Sequence, residues 1–168
     1  LQVARSGMKI AVDPLTEIEF LFPFAEDRPR LVVEERQNDD SVVFLLRLYE
    51  TEFLFTGDME QGSEAAIVAR LKEKEPHGGL SGKQAVDVLK VAHHGSKTST
   101  TDLWLDYWQP QYAVISAGQN NLYGHPHPDV VGRLKERGVQ TYRTDLHGEI
   151  RFRVTKAGLE EETKFPLS

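Results

Sequence analysis

Three times in this chain an apolar run stops at a polar block of residue types that can hold metals or phosphates. Phe53-Leu54-Phe55 runs into Thr56-Gly57-Asp58, Val88-Leu89-Lys90-Val91 into His93-His94-Gly95-Ser96, and Tyr112–Ser116 into a loop closing on Gly124-His125-Pro126-His127. In open α/β sheets functional groups collect at strand ends, where rigid backbone delivers them to one open edge. A helical bundle has no such edge, so the pattern asks for a layered α/β domain.

The intervening segments fit that demand. Gly7–Asp13 and Glu17–Phe22 read as short strands. Ser41–Tyr49 is β-branched and aromatic and turns at Glu50-Thr51 into Glu52–Thr56, the signature of a hairpin. Glu60–Glu75 carries Ala65, Ile67, Val68 and Leu71 at near-helical spacing. Ala85–Val91 is a buried strand, Thr101–Trp108 a short helix stopped by Pro110, and Tyr112–Ser116 a further strand. Pro128–Arg137 places Val130, Val131 and Leu134 on one helical face, with Gly138 as its C′ residue. Val139–Arg143 and Glu149–Val154 are closing strands. Ala25–Arg30 and Pro76–Gly82 read as loops. Strand–helix alternation of this kind gives an α/β layered architecture.

Size and charge narrow the function. At 168 residues with 39% apolar content, the chain matches one compact domain. It contains no run near the roughly 18 apolar residues that a membrane span requires. It has no cysteine, which removes thiolate metal sites and catalytic thiols. A net charge of −6 argues against a general electrostatic nucleic-acid binder. Residues 1–79 hold 9 Lys/Arg against 16 Asp/Glu (−7), and residues 80–168 hold 11 against 10 (+1), so a polyanion meets the second half more readily. The opening LQVARSGMKI starts on Leu1 and has no signal-peptide core, which reads as a cut from something longer.

Each candidate residue carries two readings. Asp58 is a metal ligand or the cap of the helix opening near Glu60. Adjacent imidazoles after a buried strand are costly decoration, and neighbours on a strand face opposite ways, so one of His93 and His94 points into a site and the other supports it. His125 and His127 face a site or pack their loop around Pro126 and Pro128. Asn120-Asn121 offers amides to a phosphate or makes a turn. Ser96 lacks the G-x-S-x-G elbow of a hydrolase nucleophile. Trp104, Tyr107 and Trp108 read as core ahead of a base-stacking platform. His77 reads as a solvated loop residue and His147 as part of a hairpin turn.

Taken together and in order, these blocks resemble one family. Ser41-Val42-Val43 leading to Thr56-Gly57-Asp58, Leu89-Lys90-Val91-Ala92-His93-His94-Gly95-Ser96-Lys97-Thr98-Ser99, the run Ser116–Pro128 with Asn120, Asn121, His125 and His127, and Tyr142-Arg143-Thr144-Asp145 are similar to the metallo-β-lactamase domain of the ComEC DNA-uptake family, over about residues 7 to 155. The resemblance implies an αββα sandwich of which residues 1–155 are the C-terminal part, followed by a frayed acidic tail over 156–168. It implies a nuclease-type phosphodiesterase acting on single-stranded DNA during uptake, with two divalent ions, Mn²⁺ or Zn²⁺. Asp58 maps onto the bridging ligand, His93 onto a ligand with His94 as the alternative, and His125 onto a phosphate or leaving-group contact. Ser96, Lys97, Asn120, Asn121 and His127 would hold substrate. The family's setting implies the outer face of the cell membrane, within a larger membrane protein. The superfamily's H-x-H-x-D-H signature is absent, and Gln37-Asn38-Asp39-Asp40 stands where a further histidine is expected. The chain therefore reads as half a catalytic site, inactive alone. The alternatives are a same-fold phosphodiesterase acting on another ester, such as phosphocholine, or a non-catalytic binding module.

Overall fold

The computed structural model describes residues 3–24, 41–74 and 85–165. The loops expected at 25–30 and 76–82, the Gln37–Asp40 segment and His77 lie outside the described residues. The element order is β1 (Lys9–Asp13), β2 (Thr16–Phe22), β3 (Val43–Leu48), β4 (Thr51–Phe55), α1 (Gln61–Lys74), β5 (Val88–Lys90), α2 (Asp102–Trp108), β6 (Tyr112–Ile115), α3 (Pro128–Glu136), β7 (Gln140–Arg143), α4 (Thr144–His147), β8 (Ile150–Thr155) and β9 (Gly158–Thr163). Strands β1 to β7 form a single sheet in sequence order. Pairing is antiparallel from β1 to β4 and parallel from β4 to β7. The α/β class expected from the alternation is the class the chain adopts.

The switch from antiparallel to parallel follows from the connections. Asp13 closes the β1–β2 turn by accepting from Leu15 N (2.8 Å) and Thr16 Oγ1 (3.0 Å). The β3–β4 hairpin turns at Tyr49-Glu50, one residue earlier than the sequence suggests, with Tyr49 at φ 53°. Such short connections force antiparallel neighbours. After β4, helices α1, α2 and α3 separate the strands, and a helical crossover returns the chain parallel.

Register explains the core. Leu45, Leu54, Leu89 and Ala113 line up across β3, β4, β5 and β6, and all four are fully buried. They join one cluster with Ile67 and Val68 of α1, Trp104, Leu105 and Trp108 of α2, and Val130 and Leu134 of α3. The tryptophans are core, as expected. The opposite face carries Phe53 and Tyr112, flanking Val88, and Phe152 of β8 covers them with centroid distances of 6.1 and 5.8 Å.

Two expectations fail here. The acidic stretch after Lys156 is not a frayed tail through 163. Its residues 158–163 are β9, paired with β8 so that Arg151 opposes Glu162 and Arg153 opposes Glu160. His147 is not in a hairpin turn but in α4, buried, with Nδ1 accepting from Arg143 N at 2.8 Å.

Candidate metal centre

Because β4 to β7 run parallel, their C-terminal ends share one edge of the sheet. That edge collects Thr56-Gly57-Asp58 after β4, His93-His94 after β5 and the 116–127 loop after β6. Backbone bonds stitch the three together. Thr56 Oγ1 donates to Lys90 O (2.6 Å), and His93 N donates to Gly57 O (3.1 Å). Lys90 Nζ reaches Gly57 O (3.4 Å) and Val91 O (3.1 Å). Burial lowers the Lys90 pKa, and the nearby Asp58 charge partly offsets that.

Two glycines allow the close approaches. Gly57 has φ +55°, and a Cβ there would lie 3.0 Å from Ser41 Cβ; Ser41 Oγ accepts from Asp58 N at 3.0 Å. Gly95 has φ +80°, and its Cβ would lie 2.7 Å from Pro126 Cβ. The His125–His127 loop therefore closes onto the His-His-Gly-Ser turn, where His127 N donates to Gly95 O at 2.8 Å.

The paired histidines do not lie on a strand. His93 and His94 both have left-handed backbone angles, φ 45° and 54°. The expectation that strand alternation sends them to opposite faces is thus corrected, since a tight turn fixes their directions. Each ring faces its own carboxylate: His94 Nε2 lies 3.6 Å from Asp58 Oδ1, and His93 Nδ1 lies 3.6 Å from Glu60 Oε1. His94 Nδ1 donates to Ser116 O at 2.7 Å. That bond occupies Nδ1 and leaves Nε2 as the ring atom turned to Asp58, placed to share a cation with the carboxylate as a neutral ring or to pair with it directly as an imidazolium. His93 Nδ1 is buried and has no hydrogen-bond partner.

This donor set fits part of a metal centre. Two ligand atoms bound at about 2.1 Å in a tetrahedral shell stand about 3.4 Å apart, close to both observed separations. Imidazole with carboxylate suits Zn²⁺ or Mn²⁺. The pairs do not grow into triads: among the described residues no three His, Asp or Glu side chains converge on one ion.

The other candidates separate clearly. His125 stands beside His93, with ring centroids 5.8 Å apart. Burial holds its pKa below the ordinary imidazole value, helped by His93, His94 and His127. Lys97 is exposed and lies 3.7 Å from Asp129. Asn120 is exposed on the loop. Asn121, read as an amide for phosphate, instead braces its own loop. Its Nδ2 donates to Gly118 O (2.9 Å) and His125 O (2.7 Å), and its Oδ1 accepts from His125 N (2.9 Å). His127 caps α3, with Nδ1 accepting from Asp129 N at 3.2 Å. Ser96 is buried and bonds Thr98 Oγ1 at 3.1 Å.

Sequence reasoning missed three residues here. Glu60 stands two places after Asp58, and that spacing was the available signal. Lys90 is a lone cation inside an apolar strand, which was another. Glu64 is fully buried on α1 and accepts from Thr100 N (2.5 Å), Thr101 N (2.9 Å) and Thr101 Oγ1 (2.6 Å), anchoring the segment after Ser96. Nothing in its helical context marks it.

No family model matches the chain. It is 35% identical to ComE operon protein 3 of Bacillus subtilis (strain 168) over 117 residues, 70% of this chain and 14% of that protein. It is 33% identical to Competence protein ComA of Neisseria gonorrhoeae over 132 residues, 76% of this chain and 18% of that one. It is 35% identical to Recombination protein 2 of Haemophilus influenzae (strain ATCC 51907 / DSM 11121 / KW20 / Rd) over 140 residues, 82% of this chain and 16% of that one. The chain thus spans less than a fifth of the length of these relatives.

Proposed function

From homology to one segment of these competence-related proteins, we propose that the chain is part of a metal-dependent phosphodiesterase acting on single-stranded DNA during uptake, in the C-terminal part of a metallo-β-lactamase-like domain. The observation that carries this reading is the His94–Asp58 pair, with Nδ1 held by Ser116 O and Nε2 turned to the carboxylate at 3.6 Å. Asp58 and His94 would hold one divalent cation, with His93 and Glu60 as the neighbouring pair of donors. His93, expected first as the ligand, keeps the same 3.6 Å from Glu60 that His94 keeps from Asp58, so each ring offers a nitrogen to a cation. A cation held there would supply a lowered pKa for water and charge neutralisation for the phosphodiester.

The chain's own residues do the rest. Ser116 orients His94, and Lys90 and Thr56 fix the Gly57-Asp58 turn against β5. His125 contacts a phosphate or leaving-group oxygen as a hydrogen-bonding ring, while exposed Lys97 supplies attraction to phosphate. The parent protein places this domain at the outer face of the cell membrane, although among the described residues no helix is long and apolar enough to cross one.

Calorimetric titration of Mn²⁺ and Zn²⁺ into the chain tests the site. We expect weak binding that Asp58→Asn or His94→Gln weakens at least tenfold, in line with loss of a ligand from an incomplete shell. Equal affinity in both variants would sink the assignment. Cleavage of single-stranded DNA with Mn²⁺ should be far slower for this chain than for a longer protein carrying H-x-H-x-D-H; equal rates would show the site complete. Running small phosphocholine esters in parallel separates the alternative substrate. A folded chain with no metal affinity would make it a binding module.

A further inference from the structure

The loop that brings His125 to the site also projects two apolar side chains into water. Leu122 is 99% exposed and Tyr123 is 84% exposed, while the next most exposed large hydrophobic among the described residues, Val12, is at 59%. Scattered single apolar residues on a surface need no explanation. Here two adjacent ones stand at the tip of a loop that Asn121 holds rigid through three hydrogen bonds. The tip is built, and it stays uncovered.

The Tyr123 ring has a defined orientation. It lies nearly parallel to the His125 ring, 19° apart in plane and 6.0 Å between centroids. His125 in turn contacts His93 at 5.8 Å, and His93 contacts His94 at 6.5 Å. A row of rings therefore runs from the solvent-exposed tip to the Asp58–His94 pair. With Tyr123 so exposed, the face turned away from His125 is open. An aromatic face of this kind accepts any base, because every nucleobase has a π-face, and such stacking works only on bases freed from a duplex.

We infer that Tyr123, flanked by Leu122, is a stacking shelf for one unpaired nucleobase, setting the phosphate beside that base against His125 and the metal-binding pair. This rests on the nucleic-acid reading above and adds the reason a single strand is taken in preference to a duplex. The chain's net charge of −6 gives little general attraction to a polyanion, so affinity for a strand must come from local contacts of this type.

The test measures binding without metal, so it does not depend on cleavage. Fluorescence anisotropy of the full chain is recorded at low salt with EDTA, using a labelled thymidine oligomer, an abasic oligomer of the same length, and a duplex. The thymidine strand should bind about tenfold more tightly than the abasic strand. Tyr123→Ala should abolish that advantage and leave abasic binding and the melting temperature unchanged, whereas Tyr123→Phe and Tyr123→Trp should keep it. If the thymidine advantage survives in Tyr123→Ala, or the unsubstituted chain binds both strands equally, the shelf is wrong while the nucleic-acid reading stands. If the chain binds no oligomer at all, that reading falls and the shelf falls with it.

Discussion

Strands β1 to β4 and strands β4 to β7 share one sheet, yet only the second set points all its C-terminal ends to the same edge. The antiparallel half alternates direction, so its turns are split between two edges and no cluster can form from neighbouring strand ends. Its polar investment goes into a ladder across one face: Arg47 bonds Glu17 (3.0 Å), Glu19 (2.7 Å) and Glu52 (2.8 Å), and Lys9 adds to it at 3.2 Å. The parallel half keeps its strands short and dry and places Asp58, His93, His94 and the His125 loop at one rim. The difference teaches that strand direction, more than residue type, decides which histidines and carboxylates can meet.

The largest expected effect lies in the parallel half. Glu64→Ala leaves one buried and two partly buried donors without an acceptor, and with about 1–3 kcal/mol for the buried group and less for each of the others the loss should be about 4 kcal/mol by urea unfolding. Burial raises the Glu64 pKa above its ordinary 4.5, outweighing the hydrogen bonds from Thr101 and Thr100. Folding therefore gains proton affinity at this carboxyl. Its contribution to stability is fullest below the ordinary value and is lost as pH rises through the folded value. Glu64→Gln should remove that fall from the stability–pH curve.

Gly95→Ala comes next, at about 3 kcal/mol, the sum of a left-handed backbone penalty and overpacking against Pro126. It should also weaken metal binding, because it pushes the His125 loop off the histidine turn. Arg47→Met tests the other half. Its carboxylate partners Glu19 and Glu52 are mostly buried, so the cost should be about 1–2 kcal/mol, shrinking in high salt, with metal affinity unchanged. A larger cost than that of Gly95→Ala, or any loss of metal binding, would erase the distinction between the halves. The smallest effect is Gly124→Ala: φ is +68° but nothing lies within 4 Å of the added Cβ, so only the backbone term of about 1 kcal/mol remains.

Much of this was legible in the sequence, and for a clear reason. β-branched and aromatic runs announce strands, and the polar blocks are contiguous with them, so the rim could be written down from adjacency alone. What was hidden depends on pairs distant in sequence. Gly158–Thr163 reads as an acidic tail until Arg151 and Arg153 are set opposite Glu162 and Glu160. Asn121 reads equally as an amide for phosphate or as a turn residue until the His125 backbone closes on it. The opposed strand faces assumed for His93 and His94 vanish because both residues have left the strand for left-handed geometry, which no local propensity announces.

The closure of Gly95 onto Pro126 has a consequence for variation among proteins built this way. Two motifs thirty residues apart in the chain share one van der Waals surface, so neither can be judged by itself. What position 95 tolerates is decided by the bulk at 126, and changes at the two should combine non-additively.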